Sequence, residues 1–166
     1  MTIDVHTAPY FSDPETGFEL RPLAEKDDAA AASVLAAATG ENTAEAAQIV
    51  IDRARSGGND RVIGGWLHDA LIGAYTIERD GMANQVTIIA VEHDHRKQGF
   101  GRMMLLDALR RSGRRPLTAE TDEDSLGFYK ACGFKMVGRR KHPSGVFRYR
   151  VGWHAPRQGA TGDDNC

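Results

Sequence analysis

The hydrophobic period changes along the chain, from about 3.6 in some segments to 2 in others. Near the end, Phe147, Tyr149, Val151 and Trp153 alternate with Arg148, Arg150 and Gly152, the pattern of a half-buried strand. Between 99 and 112, Gly101, Met104, Leu105, Ala108 and Leu109 fall instead on one face of a helix. The alanine-rich run 29–38 follows Asp27 and Asp28, acids suited to a helix N-terminus, and Gly40 closes it. Thr43 opens a second helix carrying Ala46, Ala47, Val50, Ile51 and Ala54, ended by Gly57–Gly58. Segments 61–68 and 71–78 predict an antiparallel hairpin turning at Asp69–Ala70, and Gly81 marks the next turn. The stretch 85–91 is apolar on both faces, Val86, Ile88 and Ala90 on one and Ile89 and Val91 on the other, as in a buried central strand. Pro116 opens a strand over 117–121, and a short helix over 124–131 is closed by Gly133. Strands over 134–139 and 146–153 then pair across Pro143-Ser144-Gly145. With a short strand at 18–21, the order is β-α-α-β-β-β-α-β-α-β-β, an α+β fold around a mixed sheet of about seven strands.

A length of 166 residues suits one domain. Residues 1–17 have scattered prolines and no period and read as a loose N-terminal arm. The domain spans 18–154, and 155–166 is a polar tail. The longest apolar run, 29–38, is far short of the ~18–20 residues a membrane span needs. Met1 to Asp4 lack a basic leader region, and two cysteines build no disulfide framework, so the expectation is a cytoplasmic protein without a membrane partner. Charge is uneven: residues 1–60 hold eleven acids and four bases, residues 61–166 twelve acids and seventeen bases. The basic part suits a polyanionic ligand, a nucleic acid or a phosphorylated cofactor; the acidic part leans toward a cationic acceptor.

The segment from Val91 to Gly101 runs from a buried strand through a basic, glycine-containing turn into a helix. Helix N-terminal amides lack partners and sit at the positive end of the dipole, and glycines let backbone approach a phosphate closely. Arg96, Lys97 and Arg102 add charge around the same turn. It is neither a Walker A loop, since no G-x-x-x-x-G-K-[ST] occurs, nor a dinucleotide fingerprint, since Met104 fills the third glycine position.

The pattern R-x-x-G-x-G at 96–101, followed by S-x-x-F-Y-x-x-x-G-F at 125–134, resembles the GCN5-related N-acetyltransferase (GNAT) superfamily. The resemblance covers residues 18–153 in element order. It implies a mostly antiparallel, twisted sheet with helices on both faces, and an enzyme that transfers an acetyl group from acetyl-CoA to a primary amine. By that resemblance Arg96, Lys97, Gln98, Gly99, Gly101 and Arg102 hold the coenzyme pyrophosphate. Ile89 and Val91 lie on a strand that splays from 117–121 to admit pantetheine, the amide near Val91 polarises the thioester, and Ser125 bonds the cofactor. Tyr129 matches a tyrosine that protonates the departing thiolate.

For the general base, Glu120 is the first choice among Glu120, Asp122, Glu92 and His93, since the end of its strand can reach the acceptor site; a water chain is the alternative. Gln85 stands where histone-type relatives carry a glutamate, which argues against their mechanism. Leu126, Phe128 and Phe134 read as core, and Cys132 as a small buried hydrophobe. His93-Asp94-His95 lacks metal-ligand spacing, so no metal is expected. The acceptor is a small-molecule or peptide amine, with homodimerisation open and no nucleic-acid partner expected. The rival readings are an acyl-CoA-binding module without turnover and a nucleic-acid binder using the basic segments.

Overall fold

The computed structural model describes residues 11–154. Eight strands form one sheet in the order β1-β2-β3-β4-β5-β6-β8-β7. They are β1 Phe11–Ser12, β2 Glu19–Pro22, β3 Val62–Leu67, β4 Ala70–Asp80, β5 Ala83–Val91, β6 Leu117–Thr121, β7 Lys135–Lys141 and β8 Phe147–Trp153. The helices are α1 Asp28–Leu35, α2 Ala44–Arg55, α3 Phe100–Ser112 and α4 Glu123–Ala131. All strand pairs are antiparallel except β5–β6.

The predicted architecture is present, with one strand more than the sequence suggested. Residues 11–17, read as part of a loose arm, instead fold back on β2, pairing Phe11 with Leu20 and Ser12 with Glu19. Asp13 makes that turn: its carboxylate accepts from the Thr16 amide at 3.2 Å, and its carbonyl from the Gly17 amide at 2.8 Å. Residues 1–10 and the tail at 155–166 lie outside the described residues. The β3–β4 turn falls on His68–Asp69, one residue earlier than expected. Both have positive φ (49° and 69°), as a tight two-residue hairpin requires, so the absence of glycine hid the position.

The two helix pairs cover opposite faces. α1 and α2 bury Leu35 and Ile51 with Trp66 and Ile88; α3 buries Met104 and Leu105 with Phe18, Tyr75 and Val86 on the other side. Val86 and Ile88 should share a face, being two apart in a strand. They do not, because a bulge intervenes: Ile77 opposes Val86 and Thr76 opposes Ile88, leaving Thr87 extra. The expected grouping of Val86 with Ile88 and Ala90 is therefore corrected. Val86 lies with Ile89 and Val91 on the α3 face.

Candidate functional site

β5 and β6 pair over only three residues, Asn84 with Leu117, Gln85 with Thr118 and Val86 with Ala119. Beyond Val86 the strands part. A cleft of about 810 Å³ occupies the split, bounded by the remainder of β5, the turn into α3, the start of α4 and Arg148 of β8.

The backbone at the end of β5 faces this cleft. The Glu92 amide donates to the Ile72 carbonyl at 2.7 Å, although Gly73 and Val91 are the facing residues. That is the non-hydrogen-bonded pair of an antiparallel ladder, so the amide and carbonyl of Val91 turn away from β4. By alternation those of Ile89 do the same. Arg96 donates its Nε–H to the Val91 carbonyl at 2.9 Å, which leaves the Val91 amide as the donor presented to the split.

The turn into α3 is shaped by two left-handed residues, Lys97 at φ 63° and Gly99 at φ 90°. Glycine takes that conformation without cost, and a Cβ on Gly99 would project into open space. The first helical bond runs from the Met103 amide to the Gly99 carbonyl at 3.1 Å. The amides of Phe100, Gly101 and Arg102 precede it and have no acceptor within the helix. Arg96, Lys97 and Arg102 stand around them, all on the cleft wall. Gly101 serves packing as well: a Cβ there would lie 3.3 Å from Phe128 Cζ, so glycine sets how closely α3 approaches α4.

Most of the site residues expected from sequence meet here. Ile89, Val91, Arg96, Lys97, Gly99, Gly101 and Arg102 line the cleft from one side. Glu120, Ser125 and Tyr129 line it from the other. Gln98 is the exception. It is not on the wall, and its side chain turns back to the Asp94 carbonyl at 3.4 Å.

Tyr129 is 4% exposed and packs edge-on against Phe128 and Phe134. Its hydroxyl has no hydrogen-bond partner among the described residues. Burial pushes its pKa up to about 12, with the nearby Arg148 charge opposing. Tyr129 is thus a protonated donor at neutral pH. Phe128 is not core as expected: it is 37% exposed and lines the cleft. Its place on α4 puts it against the Gly101 backbone rather than under the sheet.

Glu120 is paired with Arg140, Oε2 to Nη2 at 3.0 Å. Asp122 is committed to capping α4, accepting from the Ser125 amide at 2.8 Å. Cys132 is buried in the core, as expected. Other cleft residues carried no site expectation, Ala37, Ala38 and Arg148 among them. Ala37 and Ala38, in the single helical turn after α1, line the cleft and carry no chemistry that a sequence pattern could flag. Arg148 stood out only as the polar half of an alternating strand.

No group of three or more His, Cys, Asp or Glu side chains placed to hold a metal occurs among the described residues. No helix there is long and apolar enough to cross a membrane.

A family model described as an acetyltransferase (GNAT) domain matches residues 58–136. No curated protein sequence matches the chain significantly. Solved structures do resemble it. Ard1 from Thermoplasma volcanium superposes with a TM-score of 0.71 at 15% identity, covering 84% of this chain and 98% of that one. Naa50 from Arabidopsis thaliana, in complex with the bisubstrate analogue CoA-Ac-MVNAL, gives 0.62 at 18% identity, over 83% of this chain and 99% of that one. An aminoglycoside 6'-N-acetyltransferase complexed with coenzyme A gives 0.68 at 14% identity, over 84% and 98%. At such identities the structures speak for the fold alone. Residues 58–136 thus match a GNAT acetyltransferase domain, and the chain shares the fold of these acetyltransferase structures, with a split sheet beside an amide-rich helix mouth.

Proposed function

We propose that this protein is an N-acetyltransferase that moves an acetyl group from acetyl-CoA to a primary amine of a small molecule or peptide by direct attack. The observation that carries the reading is the Val91 amide, presented to the β5–β6 split next to the unbonded amides at the start of α3. An elongated, diphosphate-bearing thioester fits that arrangement. Arg96, Lys97, Arg102 and the α3 amides would hold its phosphates, while Ile89 and Val91 would pair with its amide-containing arm. The coenzyme supplies an activated acyl carbon and a thiolate leaving group.

The chain's own groups account for the rest. As the amine nitrogen bonds to the acyl carbon, the carbonyl oxygen gains charge, and the Val91 amide is placed to receive it. The carbon–sulfur bond then breaks, sulfur leaves with the electron pair, and the amine gives up a proton. Tyr129 donates a hydrogen bond to the sulfur. Full transfer of its proton is a harder step than the sequence suggested. From a phenol near 12 to a thiol of about 8.5 in water it runs uphill by about 5 kcal/mol, so the sulfur's proton comes finally from solvent. Glu120, which lines the cleft with Asp122 and Asp124, would take the amine's proton, though Arg140 competes for the lone pairs a base would use.

The test is a screen of primary amines monitored by free thiol release, with acetyl-CoA affinity measured separately by calorimetry. The expected result is turnover with some amines, and loss of both binding and turnover in Gly99→Asp. Binding without thiol release across the panel would make this a coenzyme-binding module instead.

A further inference from the structure

The acceptor side of the cleft carries an uncompensated cation. Arg140 and Arg148 are direct cross-strand partners on β7 and β8, and like charges so placed destabilise a sheet. Glu120, on neighbouring β6, relieves Arg140 at 3.0 Å, and Arg150 of the same ladder pairs with Asp80 at 2.9 Å. Arg148 has no carboxylate within ion-pair distance among the described residues, yet it is half-buried and lines the cleft beside Tyr129 and Glu120. Among the described residues of the acidic N-terminal part, only Ala37 and Ala38 line this wall and no acid does; Asp28 is held by Arg55 at 2.6 Å.

We propose that Arg148 receives the carboxylate of the acceptor, so that the acceptor is an amino acid or a similarly small amine bearing a carboxylate. A guanidinium presents a planar fork that matches a carboxylate in two parallel hydrogen bonds. Glu120 on the same wall suits the ammonium end of such a zwitterion, and the two alanines leave room for a small body between the charges. This departs from the lean toward a cationic acceptor drawn from the charge of residues 1–60. It rests on the acetyltransferase reading above.

The experiment compares amines in matched sets: a free amino acid, its carboxamide, its decarboxylated amine and its aminophosphonate. Calorimetric titration with acetyl-CoA is run on every variant. The wild type should favour the free amino acid over the carboxamide by at least tenfold in kcat/KM. Arg148→Gln should erase that preference by raising KM for the carboxylate alone, Arg148→Glu should invert it, and acetyl-CoA affinity should stay within about twofold. Removing an uncompensated charge should leave the Arg148→Gln variant melting no lower than the wild type. Equal use of all four amines, or preference for the aminophosphonate, overturns the proposal. So does a uniform fall in kcat with every KM unchanged, which would assign Arg148 to the leaving sulfur. Failure of the wild type to bind acetyl-CoA would instead defeat the parent reading.

Discussion

Arg96 and Val91 are tied across the turn that joins β5 to α3: the Arg96 Nε–H donates to the Val91 carbonyl at 2.9 Å. One side chain thereby fixes two parts of the proposed coenzyme site. It consumes the carbonyl that would otherwise face the split, and it holds the turn in the shape that exposes the α3 amides. Arg96→Ala is expected to weaken acetyl-CoA binding about tenfold, the scale of one charge-assisted hydrogen bond. Arg96→Lys should not restore it, since an ammonium cannot offer Nε in that direction while also facing the cleft. Calorimetry on both variants checks this; full affinity in the lysine variant would reduce Arg96 to a diffuse positive charge.

Tyr129 gives a prediction with two separable readouts. Its hydroxyl has no protein partner among the described residues, so Tyr129→Phe should fold as well as the parent while kcat falls about 10- to 100-fold through a lost hydrogen bond to a charged group. The raised pKa carries its own consequence. The folded value near 12 lies above the unfolded value near 10, so the neutral phenol's contribution to stability is intact below pH 10. It is lost as pH rises from 10 toward 12. Melting curves across that range should show a steeper alkaline decline for the parent than for the phenylalanine variant. Coincident curves would mean that the hydroxyl is solvated.

The turn at 96–101 and Tyr129 were legible only through the family resemblance of two paired motifs, since glycines and basic residues after a strand also suit an ordinary tight turn; both line the cleft. What escaped was three-dimensional. The bulge at Thr87 is invisible in a run apolar on both sides, yet it reassigns Val86 to the α3 face. Arg148 looked like a solvent residue because alternation tells which face of a strand a side chain takes, not whether a helix covers that face. Here α1 and α2 stop over β5, leaving that face of β6 and β8 open to the cleft. The net charge of residues 1–60 does not say where their side chains point, and Asp28 points into a structural pair.

That pair sets an acid limit on the fold. Asp28 on α1 accepts from both terminal nitrogens of Arg55 on α2, at 2.6 and 2.7 Å, and from Gln48 Nε2 at 3.1 Å. The Arg55 hydrogen bonds hold its carboxyl below the usual value, with burial opposing. A depressed folded pKa gives stability that is present above the unfolded value near 3.9 and lost as pH falls through the folded one. Thermal melts from pH 7 down to 2 should therefore drop below about pH 4. Arg55→Met should be less stable at pH 7 by about 1–3 kcal/mol and should lose part of that acid dependence. An unchanged acid limb in the variant would assign it to other carboxylates.

Beneath α3, Asp107 is 2% exposed and gathers three donors: Tyr75 Oη at 2.5 Å, Arg110 Nη2 at 2.7 Å and Arg111 Nε at 2.7 Å. Arg111 is nearly as buried, and its two terminal nitrogens have no hydrogen-bond partner among the described residues. Asp107 is thus the group that neutralises a buried guanidinium. Taking one partner from a buried pair typically costs about 3–5 kcal/mol, whereas replacing the whole cluster with apolar groups of similar shape is often neutral. Asp107→Leu should accordingly be severely destabilised, by that amount in urea unfolding. Adding Arg111→Met and Tyr75→Phe to it should recover most of the loss, although each addition removes a further polar group. A triple variant as unstable as the single one would mean that Asp107 acts by packing, not by charge, and that water already reaches Arg111.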